Sequence, residues 1–473
     1  MEKQSLFIGG EWVQGKEYED LLSPYNQEII TSIPIADKQE VEDALASAEA
    51  AVKTMRALTS LERSEILEKV SDLFKERAEE CALILARENA KPLKAARAEI
   101  LRTIETYKFA SEEAKRIHGE TIPLDAAKTG ANRFGYTKRE PLGIIAAITP
   151  FNFPFNLVAH KLGPAFAAGN TVVLKPASQT PLSAFMTAKI FEDAGLPAGA
   201  LNVVTGKGSA IGNILVTDPR VKMVTFTGSV PVGLGIKEKA GLKKVTLELG
   251  SNAAVIVDSA DDLDAVAARC VEGSFNFAGQ VCISVQRIYV QEELYDSFVG
   301  KMVKFARELK LGDPQSETTD VSSLIHPSET ERIENWIRDA EASGASIVHG
   351  GKRMGTVFEP TIISQSGKEL SISCKEVFGP VVSVNSYRTW DEAIELVNDS
   401  EYGLQAGVYT TNINKAFDAA ERLEVGGVII NDIPSFRVDH MPYGGVKHSG
   451  IGKEGIKYST EEMTELKFVS FKL

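Results

Sequence analysis

The fold of this chain is decided by two apolar runs, Leu142-Gly143-Ile144-Ile145-Ala146-Ala147-Ile148 and Thr171-Val172-Val173-Leu174-Lys175-Pro176. Short continuous apolar runs of this kind are typical of strands that are buried on both faces. Helices are predicted at 156–168 and 182–194, and further strands at 201–204 and 223–228. Strands that alternate with helices at this spacing predict a parallel α/β sheet, which binds ligands at the carboxyl ends of its strands.

The segments on either side extend the α/β pattern. Short β segments are predicted over 6–35, helices with apolar residues at i, i+3 and i+4 over 37–118, and a polar, extended excursion over 119–140. The tail 465–473 is an alternating strand that could pair with the excursion or with another subunit. A second α/β unit is predicted from about 251 to 440, with strands at 254–257, 286–290, 346–348, 381–387, 406–409 and 428–431.

Composition indicates an ordinary globular protein of two or three domains. The chain has 473 residues, of which 43% are hydrophobic and 25% charged, and its net charge of −13 argues against a nucleic-acid or membrane partner. The N-terminus lacks the features of a signal peptide, and no apolar run approaches the ~20 residues that span a bilayer. We therefore expect a cytoplasmic protein. The cysteines show no CxxC spacing, so neither a metal site nor a disulfide framework is predicted: Cys81, Cys270, Cys282 and Cys374.

Three residues are candidates for catalytic chemistry. Cys282 follows Gly279-Gln280-Val281, which leaves room for a substrate, although a cysteine in an apolar context is more often a small core residue. Glu248 ends an apolar strand, where burial raises a carboxyl pKa toward that of a general base, and a buried salt bridge is the alternative. Asn152, between two phenylalanines and two prolines, could donate to an oxyanion or simply form a turn.

Other residues suggest a ligand at the strand ends. Lys175 ends a strand, and Gly228 and Ser229 stand where a helix begins, so that free N–H groups would meet a phosphate. The stretch 206–212 has GxGxxxG spacing rather than GxGxxG, and a tight turn is the favoured interpretation there. Arg102 is most simply a solvated charge on a helix.

Seven motifs together give the chain a family resemblance over essentially its whole length. They are Pro150-Phe151-Asn152-Phe153-Pro154, Leu174-Lys175-Pro176, Phe226-Thr227-Gly228-Ser229, Leu247-Glu248-Leu249-Gly250, Gly279-Gln280-Val281-Cys282, Glu376-Val377-Phe378-Gly379-Pro380 and Met441-Pro442-Tyr443-Gly444-Gly445. In this order and at these separations they resemble the NAD(P)-dependent aldehyde dehydrogenase superfamily. The resemblance implies a Rossmann-like cofactor domain, an α/β catalytic domain and a small β oligomerisation element.

The resemblance also implies roles for the catalytic residues. Cys282 would be the nucleophile, Asn152 and the Cys282 backbone N–H the oxyanion hole, and Glu248 the base that activates the deacylating water. The aldehyde would form a thiohemiacetal on Cys282, pass a hydride to the nicotinamide, and leave as a carboxylic acid after hydrolysis of the thioester. Relatives that pass the acyl group to coenzyme A differ at Glu248, so the chain resembles the hydrolytic members.

NAD or NADP is the cofactor that the resemblance implies. Lys175 would hold the adenosine ribose, Ser229 the pyrophosphate and Glu376 the nicotinamide ribose, and the remaining expected contacts are Phe151, Gly228, Gly250 and Phe378. Ser178 stands where members that strictly prefer NAD carry glutamate. A serine removes the repulsion of a 2′-phosphate, so the cofactor preference stays open.

The segment Phe436-Arg437-Val438-Asp439-His440-Met441-Pro442-Tyr443-Gly444-Gly445-Val446-Lys447 resembles the branch that oxidises lactaldehyde, sulfolactaldehyde and phosphonoacetaldehyde. Arg437 would bind an anionic group, with His160, Arg102 and Phe153 as further substrate residues. Val281 departs from phosphonoacetaldehyde enzymes that carry arginine before the nucleophile, so a small hydroxy- or anion-bearing aldehyde is the expected substrate. A semialdehyde such as succinic semialdehyde is the alternative, and a catalytically silent homologue a remote one.

The resemblance divides the chain into three parts and implies self-association. The dinucleotide-binding domain is predicted at 1–121 and 142–250, the catalytic domain at 251–447, and the oligomerisation element at 122–141 and 456–473. A homodimer or homotetramer is expected.

Overall fold

A computed structural model describes residues 3–473 of the chain. Its strands are β1 Leu6–Ile8, β2 Glu11–Val13, β3 Glu17–Leu22, β4 Ile29–Ile35, β5 Thr121–Ile122, β6 Arg133–Pro141, β7 Ile144–Ile148, β8 Thr171–Lys175, β9 Leu201–Val203, β10 Val221–Thr227, β11 Lys244–Glu248, β12 Ala254–Val257, β13 Arg287–Gln291, β14 Ser346–His349, β15 Arg353–Met354, β16 Val357–Phe358, β17 Thr361–Ser364, β18 Val381–Tyr387, β19 Tyr402–Gly403, β20 Gln405–Tyr409, β21 Gly427–Ile430, β22 Val446–Lys447, β23 Gly450–Ile451 and β24 Thr464–Lys472.

Helices occupy the stretches between these strands. They are α1 Lys38–Ala57, α2 Ser60–Glu76, α3 Ala78–Asn89, α4 Leu93–Ala114, α5 Asn156–Ala167, α6 Pro181–Ala194, α7 Asn213–Thr217, α8 Val230–Lys239, α9 Leu263–Phe275, α10 Tyr295–Glu308, α11 Pro327–Ala342, α12 Ser371–Cys374, α13 Trp390–Asn398, α14 Ile413–Arg422 and α15 Ile456–Glu462. Within residues 3–473, no helix is both long and apolar enough to cross a membrane.

The first large sheet has the strand order β2-β1-β9-β8-β7-β10-β11-β23 and is parallel from β9 to β11. Its central strand β7 is buried throughout because helices cover both faces of the sheet. Ile145 packs in a core with α2, α4, α5 and α6, whereas Ala146 faces a second core that includes α1 and α8. The chain reverses direction across the sheet at β7, which pairs with β8 on one side and β10 on the other. This switch point is where open α/β sheets bind ligands.

The second large sheet, of order β14-β17-β18-β13-β12-β20-β21, is parallel except at β14. The predicted α/β fold class is therefore confirmed for both halves of the chain. Strand β17 was not anticipated from the sequence, although its four residues are buried. The strand has only four residues, and because Thr361 and Ser364 at its ends are polar, its apolar centre is too short to be recognised as a strand.

The predicted site residues lie at different ends of the strands in the two large sheets. Asn152, Lys175 and Glu248 lie at the carboxyl ends of β7, β8 and β11. Cys282 and Glu376 precede β13 and β18, and so lie at the amino ends of the second sheet. The expectation of ligands at carboxyl ends therefore describes the first sheet only.

A third sheet, of order β24-β6-β5, is antiparallel and stands apart from the two large sheets. The tail strand β24 pairs with β6 along its full length, from Thr464 opposite Pro141 to Lys472 opposite Arg133, which confirms the predicted partner within the chain and leaves the other edge of β24 unpaired among the described residues. Helix α15 packs against α4 and α5 rather than in this sheet. The three-part domain division from the sequence stays a prediction.

Candidate active site

A cavity of about 180 Å³ lies between the two large sheets, and the thiol of Cys282 is in its wall. Other predicted site residues that line it are Arg102, Phe153 and Arg437, whereas the buried His160 is not among its lining residues. The cavity is also lined by Lys91, Glu99 and Tyr443, for which the sequence analysis predicted no role.

The loop before Cys282 has an unusual backbone. Phe277, Ala278 and Gly279 have φ values of 49°, 53° and 69°, three consecutive residues in the left-handed region. A Cβ on Gly279 would lie 2.1 Å from the carbonyl oxygen of Gly379, so only glycine fits there. Backbone strain of this kind persists where surrounding structure enforces it, often at functional sites. The loop thus presents Cys282 to the cavity.

The Cys282 thiol has one hydrogen-bond partner among residues 3–473. Its Sγ lies 3.0 Å from the hydroxyl oxygen of Tyr443. Burial raises the pKa of the thiol to about 11, while the hydrogen bond from Tyr443 and the charge of Arg437 act in the opposite direction. Burial therefore favours the thiol form of Cys282, whereas Tyr443 and Arg437 favour the thiolate.

Asn152 is held against the loop of the nucleophile. Its Nδ2 donates to the Gln280 carbonyl at 2.9 Å, which leaves a second N–H on the same nitrogen, and its Oδ1 is buried without a partner among the described residues. The backbone oxygen of Asn152 accepts a hydrogen bond from Lys91 Nζ at 2.6 Å. Lys91 is fully buried and pairs with Glu99, whose other oxygen accepts from the first N–H groups of α5.

Glu248 is buried at the end of β11, and neither of its oxygens has a hydrogen-bond partner in residues 3–473. Burial raises its pKa well above the ordinary range, and the negative charge of Glu454 adds to this, while Arg437 and Lys161 oppose it. Glu454 is also buried, but Lys161 and Arg437 hold its pKa well below the ordinary range. The surroundings thus shift the pKa values of the two carboxyl groups in opposite directions.

The predicted anion-binding residues meet around Asp439. Arg102 Nη2 donates to Asp439 at 2.6 Å, and His160 Nε2 donates to it at 2.8 Å. Burial and the charge of Arg437 lower the pKa of His160, and Nε2 must carry the proton that it donates to a carboxylate, because a carboxylate only accepts. His160 therefore positions Asp439, and Arg102 already has a carboxylate partner.

Arg437 is arranged differently from Arg102. Its side chain is 5% exposed, its Nη2 donates to Glu454 at 3.0 Å, and its guanidinium lies 3.7 Å from the ring centroid of Tyr443. Its buried Nε has no partner among the described residues. Of the predicted anion-binding groups, Arg437 is the one with a buried donor that has no partner among residues 3–473.

The edge of the first sheet has features that fit a dinucleotide. The buried Nζ of Lys175 donates only to the Pro176 carbonyl within residues 3–473, and burial lowers its pKa to about 8. The Thr227 hydroxyl is buried without a partner, and Ser229 precedes α8 without a side-chain cap. A phosphate at this helix start would satisfy N–H groups that the chain leaves free.

The nicotinamide end of the predicted site lies nearer Cys282. Glu376 accepts a hydrogen bond from the Ser251 backbone at 2.9 Å, and burial raises its pKa to about 7. A Cβ on Gly250 would lie 2.9 Å from a carboxylate oxygen of Glu376, so a glycine at this position avoids a clash with that side chain. The rings of Phe151 and Phe378 meet edge to face at 5.8 Å.

Ser178, which the sequence analysis related to cofactor preference, is exposed. Its hydroxyl donates to the Gly206 carbonyl at 3.3 Å. An adjoining cavity of about 280 Å³ is lined by Ser178 and Gly206, and also by Glu19 and Asp20. Gly206 has φ of 149°, in keeping with the tight turn favoured for 206–212.

Some residues of the site could not be recognised from the sequence. Lys91, Glu99 and Glu454 lie in helical or loop stretches where a charged residue is ordinarily solvated. Tyr443 belongs to a recognised motif, but its contact with Cys282 joins residues 161 positions apart. No local pattern could have indicated these contacts.

Comparison with known proteins places the chain in a family. The sequence profile of the aldehyde dehydrogenase family matches residues 12–469. The chain is 48% identical to a 3-sulfolactaldehyde dehydrogenase from Priestia aryabhattai over 473 residues, which are 100% of this chain and 99% of that protein. It is 42% identical to a lactaldehyde dehydrogenase from Methanocaldococcus jannaschii over 98% of this chain and 99% of that one.

Solved structures agree with this assignment. Aldehyde dehydrogenase 21 from Physcomitrella patens, in complex with the reaction product succinate, superimposes with a TM-score of 0.97 at 41% identity and covers 100% of this chain and 98% of its own. Other matching structures contain NADP.

The chain belongs to the aldehyde dehydrogenase family. It is an oxidoreductase that oxidises small aldehydes with NAD or NADP, and it lies in the branch of the 3-sulfolactaldehyde and lactaldehyde dehydrogenases, as the sequence motifs predicted.

Proposed function

We propose that this enzyme oxidises a small aldehyde bearing an anionic group, with 3-sulfolactaldehyde as the first candidate, to its carboxylic acid. The observation that carries the proposal is the presence of Cys282 and Arg437 in the wall of one small cavity, with Arg437 Nε unpartnered among residues 3–473. A guanidinium can bind a sulfonate, carboxylate or phosphate through two N–H groups. An anion held by Arg437 would bring the aldehyde of a short substrate toward the thiol.

The charge balance near Arg437 supports an anionic substrate. Arg437 and Lys161 share one ionised carboxylate, Glu454, at 3.0 and 3.1 Å. Burial raises the pKa of Glu248 and so favours its neutral form, which leaves Glu454 as the carboxylate that these two cations contact. An unbalanced buried charge is costly, and a substrate anion would compensate it.

Residues of this chain would carry the acylation step as follows. The Cys282 thiolate attacks the aldehyde carbon, and the carbonyl electron pair moves to the oxygen, where the Asn152 amide and the Cys282 backbone N–H would donate hydrogen bonds. A nicotinamide cofactor held at this site would supply the hydride acceptor, and Cys282 would then hold the acyl group as a thioester. Glu376 would hold the nicotinamide ribose, and Lys175 and Ser229 the adenosine ribose and pyrophosphate.

Deacylation requires a base, and Glu248 is the proposed one. Only its ionised form can act as the base, and that carboxylate has no ion pair to break before it takes a proton from water. The resulting hydroxide attacks the thioester carbon, the C–S bond breaks, and the carboxylic acid leaves. The thioester would therefore be hydrolysed by water, and the acyl group would not be transferred to coenzyme A.

A semialdehyde is the second candidate substrate. The relative from Physcomitrella patens was solved with succinate as its reaction product, which is the oxidation product of succinic semialdehyde. A carboxylate on the substrate would meet the same Arg437. The relative from Methanocaldococcus jannaschii is named for lactaldehyde. Lactaldehyde is neutral and has no anionic group for Arg437 to bind, so it is the comparison substrate.

Both NAD and NADP are expected to be used. Ser178 places no carboxylate of its own against a 2′-phosphate, which supports NADP, whereas Glu19 and Asp20 line the adjoining cavity and would disfavour a further negative charge. These opposing effects predict a moderate preference rather than an exclusive one.

Self-association is part of the proposal. The third sheet leaves β24 as an edge strand, and Leu466 and Phe468 on it are 57% and 52% exposed. Exposed apolar edges favour pairing with another chain, which supports a homodimer or homotetramer. The four cysteines are free, which supports a reducing compartment such as the cytoplasm, and no nucleic-acid or membrane partner is proposed.

The test compares initial rates for sulfolactaldehyde, succinic semialdehyde, lactaldehyde and a neutral aliphatic aldehyde, each with NAD and with NADP. We expect kcat/KM to favour the anionic aldehydes by ~10-fold or more, which corresponds to about 1.4 kcal/mol. Arg437→Gln should remove that preference. Arg269→Gln should keep it, because Arg269 lines the same cavity but is already paired with Asp432 and Glu272. Equal rates for neutral and anionic aldehydes in the unmodified enzyme would refute the proposal.

A further inference from the structure

Tyr443 is the one residue whose side-chain polar atom contacts the Cys282 sulfur within residues 3–473, at 3.0 Å. We propose that Tyr443 is a further catalytic residue, whose hydroxyl donates a hydrogen bond to Cys282 and stabilises the thiolate that attacks the aldehyde. The inference rests on the proposed role of Cys282 as the nucleophile. It adds a group that acts on the sulfur itself, whereas Asn152 acts on the substrate oxygen and Glu248 on water.

The hydroxyl of Tyr443 is suited to act as a donor. The side chain is 3% exposed, and burial together with the neighbouring Cys282 raises its pKa well above the ordinary range, so it stays protonated. A thiolate is an acceptor only, and a phenol O–H is a stronger donor than a thiol. A hydrogen bond to a charged group is worth about 1.5–3 kcal/mol, more than one between neutral groups.

Contacts on two sides fix the position of the Tyr443 ring. The Arg437 guanidinium lies 3.7 Å from the ring centroid, and its positive charge makes the O–H more acidic and so a stronger donor. The Tyr443 backbone exchanges two hydrogen bonds with Glu454, at 3.0 and 2.6 Å, and Glu454 in turn pairs with Arg437. Tyr443, Arg437 and Glu454 form a closed set of contacts that aims the hydroxyl at the sulfur.

The proton and electron balance of the step is simple. The thiol proton of Cys282 passes to water, and Tyr443 keeps its own proton throughout. The sulfur lone pair then forms the C–S bond with the aldehyde carbon while the carbonyl π pair moves to oxygen. The hydrogen bond from Tyr443 weakens as the sulfur becomes a thioether, so it stabilises the thiolate and the early transition state.

A purely structural role for the ring is the alternative. Tyr443 packs with Ile283 and Leu404 in a small apolar cluster beside the nucleophile. The substitution Tyr443→Phe keeps this packing and the contact with Arg437, and removes only the hydroxyl. It therefore separates the two roles.

The experiment measures alkylation of Cys282 by iodoacetamide at pH 8, 9 and 10 in the full-length enzyme without aldehyde, by mass spectrometry of the peptide that contains Cys282. Below the thiol pKa the rate follows the thiolate fraction and rises tenfold per pH unit. We expect Tyr443→Phe to be about tenfold slower at each pH, with the same slope. Tyr409→Phe, a buried tyrosine of β20, should react like the unmodified enzyme.

Equal alkylation rates in Tyr443→Phe and the unmodified enzyme, with unchanged thermal unfolding, would overturn the proposal. Activity of Cys282→Ala separates this failure from that of the proposed function. If Cys282→Ala is inactive while Tyr443→Phe alkylates normally, only the role of Tyr443 fails. If Cys282→Ala keeps full activity, the nucleophile itself is wrong.

Discussion

Single residues of this site acquire their chemistry from partners rather than from their type. Glu248 and Glu454 are both buried carboxyl groups near the cavity, yet burial raises the pKa of Glu248 while Lys161 and Arg437 lower that of Glu454. A base for water must be free to take a proton near neutral pH, and an ion-paired carboxylate is not. This difference supports Glu248 as the proposed base, whereas Glu454 balances the charges of Lys161 and Arg437.

Substitution of the proposed base should separate the two halves of the reaction. Glu248→Gln is expected to release about one equivalent of NAD(P)H per active site and then turn over ~10²–10⁴-fold more slowly, because acylation does not need the base and deacylation does. Rapid-mixing absorbance measurements would show the burst. Cys282→Ala should give no burst.

The pH dependence of deacylation follows from the same residue. Only the ionised form of Glu248 is a base, and its pKa is raised, so the steady-state rate should increase with pH through the neutral range and above. In Glu248→Gln this dependence should disappear. A full steady-state rate in that variant would assign the base to another group.

At the scale of elements, the loop that connects α9 to β13 sets the position of the nucleophile. Its three left-handed residues turn the chain sharply enough to place Cys282 at the amino edge of the second sheet, opposite the carboxyl edge of the first. Gly279 permits the approach of the Gly379 carbonyl. The sequence showed a small residue before the cysteine, but not the close contact that requires it.

Gly279→Ala should therefore disturb catalysis more than folding. An added Cβ 2.1 Å from a carbonyl oxygen must displace the loop, and positive φ adds strain of about 1–3 kcal/mol. We expect kcat/KM to fall by ~10²-fold or more, since a displacement of about 1 Å in a reacting group has that effect. Gly300→Ala on α10, where nothing lies within 4 Å of the new Cβ, should keep full activity. The measurements are the thermal unfolding temperature and kcat/KM of both variants. Normal activity in Gly279→Ala would contradict the prediction, because the loop would then tolerate an added Cβ.

At the scale of the whole molecule, the antiparallel sheet of β5, β6 and β24 carries apolar side chains that no part of the described chain covers. Leu466 is 57% exposed on an edge strand, where monomeric proteins usually place charges. Stable interfaces between subunits bury about 1,200–2,000 Å² in total, and a strand edge of this length can contribute to one.

Leu466→Glu should weaken assembly, because a carboxylate would be buried against an apolar partner surface. Sedimentation velocity at micromolar concentration should show a shift toward smaller species. Leu242→Glu, at a fully exposed turn, is the matched control and should not change the distribution. A monomeric unmodified enzyme would contradict the prediction at the outset.

The sequence alone determined the α/β class and the central strands of the first sheet, and it proposed the nucleophile, base and amide. Buried strands and amphipathic helices have periods that are local in the chain, and the motifs around Cys282, Glu248 and Asn152 are local as well. The sequence also predicted that β24 could pair with the 119–140 excursion, which β6 confirms. Sequence patterns that are local in the chain are sufficient to predict these features.

Only the tertiary structure decided which charges pair and which remain free. His160 and Arg102 were predicted to contact a substrate anion, but Asp439, which is 279 positions from His160, accepts a hydrogen bond from each. Tyr443 reaches Cys282 across 161 positions. Such contacts depend on how the two sheets face each other, because the energy of a buried charge or hydroxyl is set by its spatial neighbours and not by its neighbours in the chain.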